Sequence, residues 1–527
     1  MARLFAANDV AFINLFFEDK PADFSVSVKT DKFRAAPILA LDNFFAHAGE
    51  NFLLRRAVLN ETLPAIYKSN LQIERYNFMV KLSFLRRRRL AAATLSFAVA
   101  LVVFAVPQRA AVAQSATVKT ATQKSLSAKE RAEVFERVWK TVDEKYYDPK
   151  FNGIDWKAVR EQYRPLVERA ATDAEFYDVL TLMVGELRDA HTRVRSPRRR
   201  EESKSRQATS AGVRVGEVEG VPVISSVAPD SDAARAGVAA GMIVRTVGGR
   251  PVGEALSDAR REVGTSSSER ATRLLAFSRL VAGELETQLE LGLTRADGTP
   301  LEVSLTRRRL SAAPQFVANL LPSGFAYIKF NQFQAPVDEQ IKDALVKFKD
   351  APALLLDLRS NGGGDGALGL RIAGYFFDER VSFANIITRT GKPPSAFFGL
   401  YKLPKEFKAG KKGGQLYARP VVILINEATG STSELFAEAL QEQKRATVIG
   451  TQSCGCVLGI LGYTKLKGDG DLAVSEIGFV TAKGRTLEGN GVAPDNAIAA
   501  TLTDVQSGRD VALEEAIRYL ENLKAKQ

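Results

Sequence analysis

Cysteine and histidine are scarce in this 527-residue sequence, which contains two of each: Cys454, Cys456, His47 and His191. A structural zinc site takes four such ligands, so a single site would use nearly all of them. Two cysteines also cannot form the disulfide framework that holds small secreted domains together. We therefore expect a chain that folds around hydrophobic cores and that works without a metal or a cofactor.

A concentrated basic region is also missing, although the formal net charge is +12. Residues 1–113 hold 15 basic and 9 acidic residues, and residues 114–527 hold 58 and 52. A surplus of six basic residues in each part is typical of solvated surface charge, whereas nucleic-acid binding needs basic residues concentrated on one face. We predict no nucleic-acid partner.

The composition is that of a folded chain with several domains. Hydrophobic residues make up 45% and charged residues 25% of the sequence, as in globular proteins rather than disordered ones. At about 150 residues per domain, the length predicts roughly three domains.

An export leader is predicted at residues 79–113. After Met79 come a cluster of arginines, an apolar run at residues 90–106 and the small-residue pattern Ala111-Val112-Ala113. Because a signal peptide is read at the N-terminus, we expect translation to begin at Met79 and residues 1–78 to be a non-native upstream extension. The alternative is a genuine extension followed by a membrane anchor, since the run has the minimum length of a spanning helix. Under both interpretations the chain after the leader is exported to the periplasm or the extracellular space. An uncleaved leader would attach it to the membrane.

The exported part is predicted to be multidomain α/β. Ser127 is placed to cap a helix that begins near Lys129, and a second apolar-periodic stretch, 174–187, ends just before His191. Beyond the polar run 198–209, β-branched segments separated by Gly and Pro indicate strands. The predicted divisions are 114–127 as a linker, 128–200 as a helical domain, 208–308 as a β-rich domain, 311–505 as an α/β core and 506–527 as a C-terminal helix.

Residues 208–308 resemble a PDZ domain. The resemblance rests on the segment 220–227 (Gly-Val-Pro-Val-Ile-Ser-Ser-Val), on Ala233–Gly237 and on the glycine-bounded strand 241–249. In that family a groove beside a strand captures an extended peptide by strand addition. The resemblance therefore implies polypeptide substrates held in a PDZ groove, the alternative being a small β-rich domain that only packs.

The α/β core is predicted from three apolar runs of buried-strand length, at 325–330, 353–358 and 421–425. Each run is followed by a Gly-containing turn and a helical pattern. Functional groups of such cores collect at the carboxyl ends of the strands. Two loops occupy these positions, Asp357–Gly364 with the run Asn-Gly-Gly-Gly, and Asn426–Glu434 with the run Gly-Ser-Thr-Ser-Glu.

The two loops together favour an oxyanion site. A nucleophilic Ser431 would lie where the amide of Thr432 and those of Gly362 or Gly363 face the same point. A serine at the start of a helix is more often only a cap, and that reading holds for the second loop in isolation.

Residues 324–331, 357–364 and 431–450 resemble the C-terminal processing peptidases and the related tricorn-type peptidases. The resemblance extends over residues 130–505. It implies a helical start, an inserted PDZ domain and a crotonase-like α/β catalytic core. It also implies a serine endopeptidase that cleaves unfolded or C-terminally exposed protein segments through an acyl-enzyme on Ser431.

One position departs from the processing-peptidase pattern, because Cys456 stands where those enzymes have the lysine that activates the serine. A neutral thiol cannot replace an amine base, so Lys444, Lys465 or Lys467 would have to substitute. Loss of the base also permits a rival of another class, a catalytically inactive peptide-binding pseudopeptidase.

The tricorn-type branch resembles a Ser-His-Glu arrangement instead. By this resemblance His191 is the base that removes the proton from Ser431, and Glu488, within the segment 487–495, orients the imidazole. With an unperturbed imidazole, activity would fall as the pH drops through about 6.5.

Cys454 and Cys456 leave three alternatives open. They form a tight Cys-x-Cys disulfide, they are free buried thiols, or one is a nucleophile paired with His191.

Overall fold

The computed structural model describes residues 12–17, 24–29, 125–205, 207–311, 315–393, 395–396 and 401–526. The chain divides into two compact units, Met1–Lys119 and Thr120–Gln527. In the first unit, β1 (Phe12–Phe17) and β2 (Phe24–Lys29) form an antiparallel pair. The predicted leader lies outside the described residues, and none of the described helices is long and apolar enough to cross a membrane.

Three helices open the second unit: α1 (Ala128–Lys145), α2 (Trp156–Arg169) and α3 (Asp173–Gly185). Ser127 caps α1 through a reciprocal pair of hydrogen bonds with Glu130, at the predicted position. The helices share a core that includes Val138, Phe176 and Leu180. Leu126 is buried in that core, so the folded chain starts before the end of the predicted linker 114–127.

The polar run 198–209 is folded. After β3 (Arg193–Arg195), the run is covered for most of its length by α4 (Pro197–Ser205) and β4 (Gln207–Ser210). No residue of α4 is buried. The helix therefore lacks the apolar stripe from which a sequence pattern detects a helix.

A β-rich insert follows, closed at its base by the antiparallel pair of β4 with β11 (Arg308–Ser311). Inside it the strand order is β10-β9-β7-β6-β5, with β8 on β7. Its strands are β5 (Val213–Val218), β6 (Val221–Val227), β7 (Ile243–Val247), β8 (Arg250–Pro251), β9 (Gln288–Thr294) and β10 (Pro300–Thr306). Its helices are α5 (Asp232–Arg235), α6 (Val252–Val263) and α7 (Glu269–Val281). The edge strand β5 contacts α7.

The core is a six-stranded sheet of order β12-β13-β14-β19-β20-β23, in which only β12 runs antiparallel to its neighbour. Three of its strands are the predicted apolar runs, and every residue of β14 and β19 is buried. The strands are β12 (Phe316–Leu320), β13 (Ala326–Phe330), β14 (Leu354–Asp357), β19 (Val421–Ile425), β20 (Thr447–Gly450) and β23 (Asn496–Ala497).

Helices cover both faces of this sheet. The helices of one core cluster are α8 (Val337–Lys347), α9 (Gly366–Ala373) and α10 (Thr432–Glu442). After the short α11 (Leu502–Gln506), α12 (Val511–Ala525) packs Ala516 and Leu520 in the cluster that contains Leu355. The C-terminal helix, predicted as the separate segment 506–527, is thus a layer of the core.

A second sheet has the order β18-β15-β22-β21, and β3 also pairs with β22. Its strands are β15 (Val381–Ile387), β18 (Glu406–Ala409), β21 (Gly459–Lys465) and β22 (Asp471–Val480), and a small pair is formed by β16 (Ser395–Ala396) and β17 (Tyr401–Lys402). Arg195 of β3 makes two hydrogen bonds of 2.7 Å to Asp471 of β22. This pairing attaches the segment that carries His191 to the core, and the whole is a mixed α/β fold with several sheets.

Candidate active site

The two predicted loops lie side by side, because β14 and β19 are adjacent parallel strands. The Gly430 amide donates to the Asn361 carbonyl at 3.0 Å, and the Thr432 hydroxyl donates to the Gly364 carbonyl at 2.9 Å. The sheet thus fixes the loops against each other at its carboxyl edge.

Ser431 occupies the sharp turn between β19 and α10. Its backbone has φ 56° and ψ −122°, a conformation that costs a non-glycine residue energy. The turn presents Ser431 Oγ to His191 Nε2 at 3.1 Å. The structure therefore brings together two residues that are 240 positions apart in the sequence.

Gly363 packs directly against this turn. A Cβ atom at Gly363, whose φ is +96°, would lie 2.6 Å from Ser431 Cβ and 2.8 Å from the Thr432 nitrogen. Only glycine permits an approach this close.

The Gly363 amide is not free to bind an oxyanion, which corrects one of the predicted donors. It donates to Asn361 Oδ1 at 3.0 Å, because the fully buried Asn361 has its amide nitrogen bonded to the Phe330 carbonyl and its oxygen needs a donor. The Thr432 amide begins α10 and has no helical carbonyl to bond. Across the described part of the chain the Gly362 amide has no backbone acceptor either. Gly362 and Thr432 remain the candidate donors.

The loop that carries His191 is held by Asp189, a residue to which the sequence analysis assigned no role. Its carboxylate accepts the His191 amide at 2.7 Å and the Thr192 amide at 3.1 Å. It also accepts the hydroxyl of Ser475 on β22. The pattern Asp-x-His-Thr was a local signal for the first two bonds, but the bond from Ser475 requires the fold.

Burial lowers the pKa of His191 to about 4, against the opposing effect of the nearby Asp189 charge. The imidazole is therefore neutral at pH 7, as a general base must be. Its Nδ1 atom is buried and has no hydrogen-bond partner among the described residues.

Glu488 is likewise partly buried. Its Oε2 accepts the Val457 amide at 2.6 Å, while the buried Oε1 has no partner in the described part of the chain. Burial, and then the charge of Asp189, raise the pKa of Glu488 to about 8. Among the described residues no hydrogen bond joins Glu488 to His191. Each residue therefore has one buried atom without a hydrogen-bond partner, Oε1 of Glu488 and Nδ1 of His191.

Glu434 lies beneath Ser431 and is fully buried. Its carboxylate accepts the amides of Ser431 at 3.0 Å, Gly455 at 2.7 Å and Cys456 at 2.9 Å, and the hydroxyl of Ser453 at 2.6 Å. Burial raises its pKa, and these hydrogen bonds oppose the change. The carboxylate thus ties the Ser431 turn to the segment 453–456.

Cys454 and Cys456 form a disulfide, which leaves no free cysteine among the described residues. This excludes the free-thiol alternative and the cysteine nucleophile for this structure. The Cys456 carbonyl accepts the Ser431 amide at 2.9 Å, so the position that carries a lysine in processing peptidases contributes backbone to the site.

The three lysines considered as substitutes are exposed. Lys467 pairs with Glu133 at 3.1 Å and with Glu130 at 3.4 Å, on the helical domain. His191 Nε2 is the ring nitrogen bonded to the Ser431 hydroxyl, and no lysine has a hydrogen bond to Ser431 in the described ranges.

Comparison with known families gives two matches. Residues 324–498 match Peptidase family S41, and residues 127–185 match the Tricorn protease C1 domain. The first match covers the core that holds Ser431, and the second covers the helical domain before His191.

Among curated proteins, a carboxyl-terminal-processing protease of Synechocystis sp. is 27% identical over 76% of this chain and 89% of its own length. Tricorn protease homolog 1 of Streptomyces coelicolor is 27% identical over 74% of this chain, which spans only 35% of that protein. The solved structure of mature CPAF complexed with lactacystin, 13% identical, covers 76% of this chain and 98% of its own with a TM-score of 0.58, and it shows the similarity of fold. The chain is therefore a serine-type peptidase, a hydrolase, whose core matches Peptidase family S41 and which is similar to carboxyl-terminal-processing and tricorn-type peptidases.

Proposed function

We propose that the chain is an endopeptidase that forms an acyl-enzyme on Ser431, with His191 as the general base. The observation that carries the proposal is the distance of 3.1 Å between Ser431 Oγ and His191 Nε2. A neutral imidazole at this distance can accept the serine proton and return it to the leaving amine. The amides of Thr432 and Gly362 would stabilise the oxyanion.

Glu488 completes the proposed triad as the group that orients the imidazole. Support comes from two buried atoms that have no hydrogen-bond partner among the described residues, His191 Nδ1 and Glu488 Oε1. A buried polar atom without a partner raises the free energy of the folded chain. A hydrogen bond formed between them when substrate binds would remove both costs. It would also stabilise the imidazolium that forms during the reaction.

The insert is proposed to be a PDZ domain that presents the polypeptide substrate. A cavity of about 280 Å³ lies between the edge strand β5 and helix α7 and opens toward the core. Its residues are Gly216 and Glu217 of β5, Arg270, Arg273, Leu274 and Phe277 of α7, and Glu427, Thr451 and Gln452 of the core. A free edge strand with an apolar helix beside it favours capture of an extended segment. Arg273 supplies a positive charge for a carboxylate, although it faces Glu217 at 3.5 Å in this state.

The rival function is that of a pseudopeptidase that binds peptides without cleaving them. The missing lysine motivates it, and the short distance between Ser431 and His191 argues against it. The two functions differ in whether the serine is reactive.

The deciding experiment is labelling of the purified chain with a fluorophosphonate, with Ser431→Ala as the control. The endopeptidase predicts labelling that is lost in Ser431→Ala and slowed in His191→Ala. A wild-type chain that binds unfolded polypeptide but takes up no label would establish the pseudopeptidase instead.

Export to the periplasm or the extracellular space is proposed from the leader at residues 79–113, with attachment to the membrane if the leader is retained. The disulfide in the candidate site supports an oxidising compartment. Mass spectrometry of the native protein should find an N-terminus near Gln114. Peptides from residues 1–78 in the exported protein would contradict this.

A further inference from the structure

The turn that begins helix α7 of the insert reaches into the candidate active site. Ser267 accepts the Ala190 amide at 3.0 Å, and the Ser268 hydroxyl donates to the Cys454 carbonyl. Arg270 donates to the carbonyls of Ser453 at 2.6 Å and Asn490 at 2.7 Å. One turn of the insert therefore contacts the segments that carry His191, the disulfide and Glu488.

Ser267 is the residue of this turn that lies against the segments of two members of the proposed triad. Its hydroxyl oxygen accepts the amide of Ala190, the residue before His191, at 3.0 Å. On the other side, a Cβ atom at Gly489, the residue after Glu488, would lie 3.4 Å from the Ser267 carbonyl oxygen. The Ser267 hydroxyl also favours the charged form of the Glu488 carboxyl and so lowers its pKa, against the effect of burial. A hydroxyl can accept one hydrogen bond and donate another, so Ser267 is placed to bridge the two segments.

We propose that Ser267 is a positioning residue through which the insert aligns His191 with Glu488, so that the triad assembles only when the insert is docked on the core. The inference rests on the proposed Ser431, His191 and Glu488 chemistry and adds a fourth residue, from a different domain. Ser267 contacts no substrate in this role and acts through the two residues that it holds.

The surroundings of Glu488 explain why one hydroxyl matters. Most neighbouring groups disfavour its charge, and two favour it, the Ser267 hydroxyl and the Val457 amide. The titratable groups that interact with it are Asp189, Glu434, Tyr146 and Tyr147. Without the Ser267 hydroxyl, Glu488 would keep its proton to a higher pH and would support the imidazolium less well.

The same helix links this turn to the peptide groove. Arg273, Leu274 and Phe277 line the cavity beside β5, about two to three turns along α7 from Ser267. A peptide in the groove therefore packs against the helix whose first turn holds the triad in place.

The test compares Ser267→Ala with Ser266→Ala, using a short ester substrate that is too small to fill the groove. Ser266 is the matched control, because it lies in the same turn and its buried hydroxyl has no hydrogen-bond partner in the described part of the chain. We expect Ser267→Ala to lower kcat by about 10- to 100-fold, as for a lost hydrogen bond to a charged group, with KM unchanged. We expect its pH–rate profile to shift to higher pH, and Ser266→Ala to keep the wild-type kcat and profile.

A second pair of variants keeps the test valid if Ser267→Ala folds poorly. Ser267→Thr retains the hydroxyl and Ser267→Val has the same shape without it, so only the threonine variant should keep kcat and the pH profile. Equal losses in these two variants, or in Ser267→Ala and Ser266→Ala, would overturn the inference. So would wild-type kcat and pH dependence in Ser267→Ala.

These outcomes are distinguishable from failure of the proposed function. If His191→Ala or Ser431→Ala kept full activity, the triad itself would be wrong. If both abolished activity while Ser267→Ala and Ser267→Val behaved like the wild type, the triad would stand and only the role of Ser267 would fall.

Discussion

Replacing Glu488 with glutamine should lower activity and, above pH 5, make the folded chain more stable. Burial raises the pKa of Glu488 from 4.5 to about 8. Below pH 4.5 the carboxyl is protonated in both the folded and the unfolded chain, so it does not make the free energy of unfolding depend on pH. Between pH 4.5 and 8 the unfolded chain releases the proton and the folded chain keeps it, so rising pH lowers the free energy of unfolding.

The magnitude follows from the size of the shift. At about 1.4 kcal/mol per pH unit, this carboxyl should cost the wild type about 4 kcal/mol between pH 5 and pH 8. Glu488→Gln does not titrate and should lose that part of the pH dependence. The exposed Glu521 on α12 offers the control Glu521→Gln, which should follow the wild type.

The assay is urea unfolding, followed by circular dichroism at several pH values from 5 to 8.5. The pH–rate profile of ester hydrolysis provides a second readout, because the wild-type rate should rise as Glu488 ionises and this rise should vanish in Glu488→Gln. If wild type and Glu488→Gln showed the same pH dependence of unfolding, Glu488 would already be ionised at neutral pH. Its charge would then belong to a coupled pair with the His191 imidazolium, and the reasoning from burial would be refuted.

Three further substitutions test the site. His191→Ala should reduce kcat by about 10⁴-fold, as for other bases of serine peptidases, whereas Cys456→Ser should do much less; the reverse order in steady-state kinetics would disprove the assignment of the base. Glu434→Gln puts an amide among four donors and should lower the free energy of unfolding by about 2–5 kcal/mol, and an unchanged urea midpoint would contradict this. Gly363→Ala should slow fluorophosphonate labelling at least about 10-fold, because its Cβ would collide with the Ser431 turn in a strained backbone. Gly366→Ala, where the space is open, is its control, and equal rates in the two variants would disprove the packing argument.

The sequence by itself determined the elements whose signals are local. The apolar run Val421–Ile425 is β19 from its first residue to its last, and Ser127 caps α1, because burial on both faces and a cap are written into neighbouring residues. The candidate residues Ser431 and His191 also followed from local segments, together with a resemblance to known peptidases. The sequence did not predict helix α4, because a helix with no buried face has no periodic pattern of apolar residues.

Only the tertiary structure decided which groups meet. The pairing of β3 with β22 brings His191 to Ser431, and no spacing in the sequence encodes a contact across 240 residues. The sequence predicts Gly362 or Gly363 as an oxyanion donor, and only the fold shows that the Gly363 amide donates to Asn361 instead. The hydrogen-bond partners of Asp189, Glu434 and Ser267 could not be predicted from the sequence for the same reason. A buried polar group is satisfied by whatever donor or acceptor the packing of distant segments places beside it, and a sequence pattern carries only the near neighbours.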